Sequence, residues 1–421
     1  MNGCDVTSGK SLARNTVYSA VSSASSVFLM ILVIVAARVL GDKAFGEFSF
    51  ALALASIFEM FIDLGLNTLS ARNVSRDRKL AGVYLSAVLG WKLILSGVVM
   101  ALLVLTVKLM HQTREAELAA CIMGAAVVIR SFKSTSFAFF QAFERFDLIL
   151  LTTYIERFSG LIFGLAALLI TRSLIAFVSV FALIRIPDIV ITYWFIHRAI
   201  TPVRIRFEPK VIRKLQSAAV PFALSSIVLV AYLYVGTVIL SVMRPPAEVG
   251  WYNAGYKIYE GLTTFPFLIC AVLLPRLSLL FLFDRSGYQA LCVRVLRYLL
   301  IGSIPVVIGI FVLAPRVIGL LYGAEYAPAV PVLRLLLAAA LFMFANWVLN
   351  TILIAADLER PALRIWTVGL VVMTAANLIL IPRLGMIGAA YSVIAAEICV
   401  FAMMAGCVRK RLFGSSHRCF D

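Results

Sequence analysis

The sequence predicts an all-α polytopic membrane protein of about twelve transmembrane helices, arranged as two sets of six. Three observations carry this reading. Of the 421 residues, 62% are hydrophobic and 14% charged, against about 25% charged in a soluble domain. Apolar runs of about 20 residues, long enough to cross a bilayer, recur along the whole chain. A pattern in the second run also returns 204 residues later, in the eighth.

In chain order the runs are 15–40, 45–70, 81–109, 117–141, 148–170, 173–196, 215–242, 251–281, 295–321, 329–356, 361–381 and 385–408. The polar segment 1–14 holds Lys10 and Arg14. The run after it is too long for the h-region of a signal peptide and is expected to stay in the mature protein. The longest connection, 197–214, carries Arg198, Arg204, Arg206, Lys210, Arg213 and Lys214. It divides an N-terminal lobe (15–196) from a C-terminal lobe (215–408), which a tail at 409–421 follows. No connection has room for a soluble domain.

The formal net charge of +17 would point to nucleic acid in a soluble protein. Here 23 Lys/Arg fall on the side of the termini and 7 on the other. That bias sets both termini in the cytoplasm and calls for no nucleic-acid partner. The seven cysteines show no CxxC spacing, and the three histidines (His111, His197, His417) lie outside the runs. Neither a disulfide framework, a metal site nor a cofactor is expected, and no phosphate-cradling Gly motif occurs.

The repeat can be read directly. Gly46-Glu47-Phe48 and Gly250-Trp251-Tyr252 open their runs alike, and Arg72 and Arg276 each follow 26 residues after the glycine. Two six-helix halves are a known transporter plan. The stretches ARVLGDKAFGEFSFALALASIFEMFIDLGLNTLSAR, VGWYNAGYKIYEGLTTFPFLICAVLLPRLS and LIPRLGMIGAAYSVIAAE resemble signatures of the polysaccharide and oligosaccharide (O-antigen type) flippases. Their superfamily also holds lipid II flippases and multidrug/toxin extrusion (MATE) antiporters. The likeness runs from about residue 12 to 408. It implies a MATE-like flippase fold, two helical lobes around a central cavity that opens to alternate sides. It implies a cargo of polyprenyl-pyrophosphate-linked oligosaccharide, moved from the inner to the outer leaflet of the bacterial inner membrane. A polysaccharide polymerase or export machinery is a possible companion.

Ionisable residues at bilayer depth are functional candidates, since each costs at least about 2.5 kcal/mol at mid-helix. Arg130 and Lys133 share one face of the fourth span among Ser131, Ser134 and Ser136, with no acid nearby on their own helix. Lys92, Arg157 and Arg185 join them from the third, fifth and sixth spans, and Lys257 stands in the eighth. Cations lining a hydrated cavity would offset desolvation of a pyrophosphate, with Arg suited to bidentate contacts. The competing reading is internal pairing: Arg185 with Asp188 beside Pro187, Lys257 with Glu260, and snorkelling for Lys92 and Arg157.

The embedded acids Glu59, Asp63, Asp188 and Glu397 could couple transport to H⁺ or Na⁺. Tyr232, Tyr234, Trp251, Tyr252, Tyr256 and Tyr259 are expected to form an interfacial belt, and Pro266 and Pro275 to let the eighth span flex. Two other functions compete. A multidrug antiporter exporting organic cations would need an acidic, aromatic cavity. A membrane enzyme acting on lipid-linked saccharides would need a large outer loop, which the sequence lacks.

Overall fold

A computed structural model of the chain describes residues 25–413. The expected polar segment 1–14, the start of the first span at 15–24 and the tail beyond Phe413 lie outside the described residues. Among these residues there is no strand. Nine helical segments are long and apolar enough to cross a membrane, so the protein is a multi-pass membrane protein. The other three expected spans fall in α1 and α4.

The helices are α1 (Ser26–Asp63), α2 (Leu66–Arg76), α3 (Ala81–Leu109), α4 (Arg114–Ala142), α5 (Phe146–Thr171), α6 (Leu174–Leu183) and α7 (Arg185–Ala199). They continue with α8 (Pro209–Met243), α9 (Pro246–Leu262), α10 (Thr264–Phe283), α11 (Arg285–Leu321), α12 (Ala329–Ala355), α13 (Glu359–Leu384) and α14 (Met386–Val408).

Local chemistry sets several boundaries. α1 holds the first two expected spans and changes direction at Gly41, whose φ of 80° suits a residue without a Cβ. The second span stops at Asp63 rather than at residue 70, because 66–76 is a separate amphipathic helix that buries Leu66, Leu69, Ser70 and Val74. Thr113 caps α4 by accepting from the Ala116 N–H at 3.2 Å, and Glu115 and Glu117 sit in its positive first turn.

Prolines divide two expected spans. Proline clashes with the carbonyl four residues before it and lacks an N–H. Accordingly α6 ends at Leu183, four residues before Pro187, and α9 ends at Leu262, four before Pro266. The sixth expected span is therefore two helices, and the flexing expected at Pro266 in the eighth is a helix break. At Pro221, Pro275 and Pro305 the helices run on.

The chain forms two compact units, one ending at Val230 and the other starting at Ala231. The division lies inside α8 instead of in the 197–214 connection. The reason is packing: Leu215 and Ala219 in the first part of α8 are buried with Leu66, Leu69 and Val88.

In the first unit α4 is the central helix, packed against α1, α2, α3, α6 and α7. It buries more than one stripe, many of its buried residues being small: Ala116, Ala119, Ala120, Gly124 and Ala126. Lipid tails are as apolar as leucine, so close van der Waals approach between small residues holds such helices together. In the second unit α12 plays the same part against α9, α10, α11 and α14. These are the fourth spans of their halves, so the repeat read from sequence extends to the burial order. α13 and α14 form a tight hairpin. At Gly388 a Cβ would collide with the Leu380 carbonyl oxygen, so only glycine admits this approach.

Candidate functional site

The central helix of the first unit carries the polar site. α4 presents Arg130 and Lys133, α1 contributes Glu59 and Asp63, α3 Lys92, α5 Glu156 and Arg157, and α7 Arg185 and Asp188. The proline break before α7 places Arg185 and Asp188 in its first turn.

Each carboxylate in the group is engaged. Arg130 grips Glu59 through two nitrogens, Nε donating to Oε1 at 2.9 Å and the second guanidinium nitrogen to Oε2. Lys133 Nζ lies 2.7 Å from Glu156 Oε2 and 2.7 Å from Asp188 Oδ2, and it donates to the Thr152 carbonyl at 3.2 Å. Lys92 Nζ lies 2.7 Å from Asp63 Oδ1 and also donates to Asn67 Oδ1 at 3.1 Å and the Ser131 carbonyl at 3.0 Å.

Arg185 does not take Asp188, its expected partner. It donates to the Ala126 carbonyl at 3.0 Å, and its guanidinium lies 4.8 Å from the centre of the Phe181 ring. Asp188 is held by Lys133 from another helix, a pairing that spacing along one helix could not show. Five cations thus face four acids, and Lys133 takes two of the four. Among the described residues, Arg157 and Arg185 have no carboxylate within ion-pair distance.

A pocket of about 220 Å³ opens in this unit, and its polar wall is Arg130, Lys133, Ser134, Glu156, Arg157 and Arg185. Phe28, Phe137 and Phe181 form part of the apolar wall. The Nε of Arg157 is buried there without a hydrogen-bond partner among the described residues. Four of the six cations named from sequence are therefore brought to one pocket.

The other two are elsewhere. Lys92 is 0% exposed and is not on the pocket wall. Its four bonds to Asp63, Asn67 and Ser131 make it a brace between helices, in place of the cavity cation expected. Lys257 lies in the second unit and bonds Glu260 one turn away at 2.6 Å, the internal pair that spacing allowed.

The second unit holds a different centre. Glu397 on α14 is 2% exposed. Its Oε1 accepts from the Tyr232 and Tyr259 hydroxyls, both at 3.1 Å, and its Oε2 from Asn346 Nδ2 at 2.7 Å. No described basic side chain is within ion-pair distance. Tyr234 and Trp251 are half-buried, but Tyr232, Tyr252, Tyr256 and Tyr259 are buried, which removes these four from the expected interfacial belt. Two of these hydroxyls are needed by a carboxylate inside the helices. An embedded acid without a base was the signal that could have located this centre.

Comparison with known proteins agrees with the architecture. An inward-facing multidrug resistance MATE family transporter of the MOP superfamily has a TM-score of 0.74 at 14% identity, over 92% of this chain and 94% of that chain. The lipid II flippase MurJ in an inward closed conformation gives 0.75 at 16%, over 92% and 87%. A MOP superfamily transporter from Pyrococcus furiosus gives 0.59 at 13%, over 96% of this chain and 97% of that chain. No curated protein matches the sequence. At these identities the comparison shows a shared fold. The family model described as polysaccharide biosynthesis protein matches residues 12–281, and the chain belongs to that family.

Proposed function

We propose that the protein is a flippase moving a polyprenyl-pyrophosphate-linked oligosaccharide from the inner to the outer leaflet by alternating access, with both termini in the cytoplasm. The observation that carries this reading is the charge imbalance on the pocket wall. Four cations line the pocket against one acid, Glu156; Arg157 and Arg185 make no ion pair among the described residues, and Arg130, though paired, keeps 38% of its side chain exposed. A pyrophosphate leaving water needs charge-assisted donors in compensation, and arginine offers them in a fork that matches phosphate oxygens. An organic cation would meet net repulsion here, which disfavours a drug-antiporter reading. The names of the MurJ and polysaccharide-biosynthesis relatives support a saccharide-lipid cargo.

Of the four acids considered for ion coupling, Glu59, Asp63 and Asp188 are each held by a cation. Glu397 is held only by neutral donors. In this reading Glu397 takes up the coupling H⁺ or Na⁺, because its charge has no standing compensation in the protein.

The test is a deletion strain assayed for lipid-linked oligosaccharide on the inner leaflet. Wild type should clear the build-up, and an Arg157→Gln/Arg185→Gln variant present at wild-type level in the membrane should not. Absence of build-up in the deletion strain would sink the flippase reading. Clearance by the double variant would sink the assignment of the site.

A further inference from the structure

A second cationic feature lies on the second unit. A groove of about 490 Å³ is lined by Ser286, Gln289, Val293, Arg294, Arg297 and Tyr298 at the start of α11. The sequence's charge bias assigns this end of α11 to the cytoplasmic side. No acid lines the groove. The acid nearest in sequence, Asp284, is occupied: its Oδ1 accepts from the Gly287 N–H at 2.9 Å and the Ser286 hydroxyl at 2.8 Å, capping α11.

More cations surround it. Gln289 Nε2 donates to the Leu412 carbonyl at 2.9 Å, which brings the turn carrying Arg409, Lys410 and Arg411 beside the groove. Arg285, one turn before Gln289, stacks over Phe281 at 5.1 Å. None of these six basic residues has an ion pair among the described residues. Charge bias alone would scatter arginines along this side; it does not converge Arg294 and Arg297 in a groove whose nearest acid in sequence is already engaged in capping the helix.

The face below the groove is apolar. Arg294, Arg297, Tyr298 and Ile301 follow the spacing of one helix face, and the same face continues through Ile304 and Ile308, all exposed from Arg294 onward. A ligand matching this surface has a phosphate at one end and hydrocarbon at the other. We propose that the groove binds the phosphate of an anionic lipid in the inner leaflet, with its acyl chains along Ile301–Ile308. Arginines near an anionic leaflet draw such lipids electrostatically, and the attraction falls with ionic strength.

The test is native mass spectrometry of the full-length protein in detergent with added phosphatidylglycerol. Arg294→Gln/Arg297→Gln should retain that lipid about thirtyfold less than wild type, the loss expected from removing two phosphate contacts. Arg360→Gln/Arg364→Gln, which removes two exposed arginines outside the groove, should retain it as wild type does and serves as the folded control. Phosphatidylcholine, which carries no net charge, should be retained weakly by all three. Equal loss in both double variants, or equal retention of the two lipids, would overturn the site. Displacement of phosphatidylglycerol by millimolar inorganic phosphate would assign the groove to free phosphate and overturn the lipid. Preference for a polyprenyl phosphate over phosphatidylglycerol would keep the lipid-phosphate site and name the cargo lipid as its source.

Discussion

Lys133 on α4 lies 2.7 Å from Asp188 on α7, and the same ammonium holds Glu156 of α5 at 2.7 Å. One buried cation therefore ties three helices of the first unit together. Removing one partner of a buried pair leaves an uncompensated charge, at a cost of about 3–5 kcal/mol. Lys133→Met should lower the unfolding temperature in detergent by several degrees. Adding Asp188→Asn should restore part of it, because one stranded carboxylate is then neutral. An unfolding temperature equal to wild type in Lys133→Met would remove Lys133 from the scaffold.

Arg157 differs from Lys133 in having no acid to strand. Arg157→Gln should leave stability within about 0.5 kcal/mol of wild type while lowering retention of a polyprenyl-pyrophosphate probe by about tenfold, the worth of one charge-assisted contact. Equal probe binding in the variant would show that the cation acts elsewhere than on the head group.

Glu397 can be neutralised without losing its shape. A glutamine there still accepts from Tyr232 and Tyr259. Asn346, whose Oδ1 has no hydrogen-bond partner among the described residues, can turn its amide to accept from the new Nε2, giving up the 3.1 Å bond from its Nδ2 to the Glu397 main-chain carbonyl. Glu397→Gln should fold at the cost of about one hydrogen bond, about 1 kcal/mol, and lose the dependence of transport in proteoliposomes on a proton or sodium gradient. Glu397→Ala strands three donors instead and should unfold more easily, by about 1–3 kcal/mol. Gradient dependence unchanged in the glutamine variant would exclude this carboxylate from coupling.

Gly388 tests the packing of the α13–α14 hairpin. Gly388→Ala sets a methyl against the Leu380 carbonyl and should cost about 1–3 kcal/mol. Gly302→Ala on α11 meets nothing within 4 Å and should be neutral or stabilising by up to about 1 kcal/mol. Thermal unfolding of the two variants side by side checks the contrast; equal unfolding temperatures would contradict the close approach.

The sequence by itself determined the membrane class and most of the apolar runs, because these rest on composition and run length, which are properties of the chain. It also marked the cations worth asking about. The partners of those cations were decided only in the tertiary structure. Glu59, Glu156 and Asp188 reach Arg130 and Lys133 from other helices, and Asp63 reaches Lys92 the same way. In helices apolar on nearly every side, no amphipathic stripe tells which face meets which neighbour. Only the packed register decides that Lys92 is a brace, that Arg157 and Arg185 reach a pocket wall without an ion pair, and that Tyr232 and Tyr259 turn inward to Glu397.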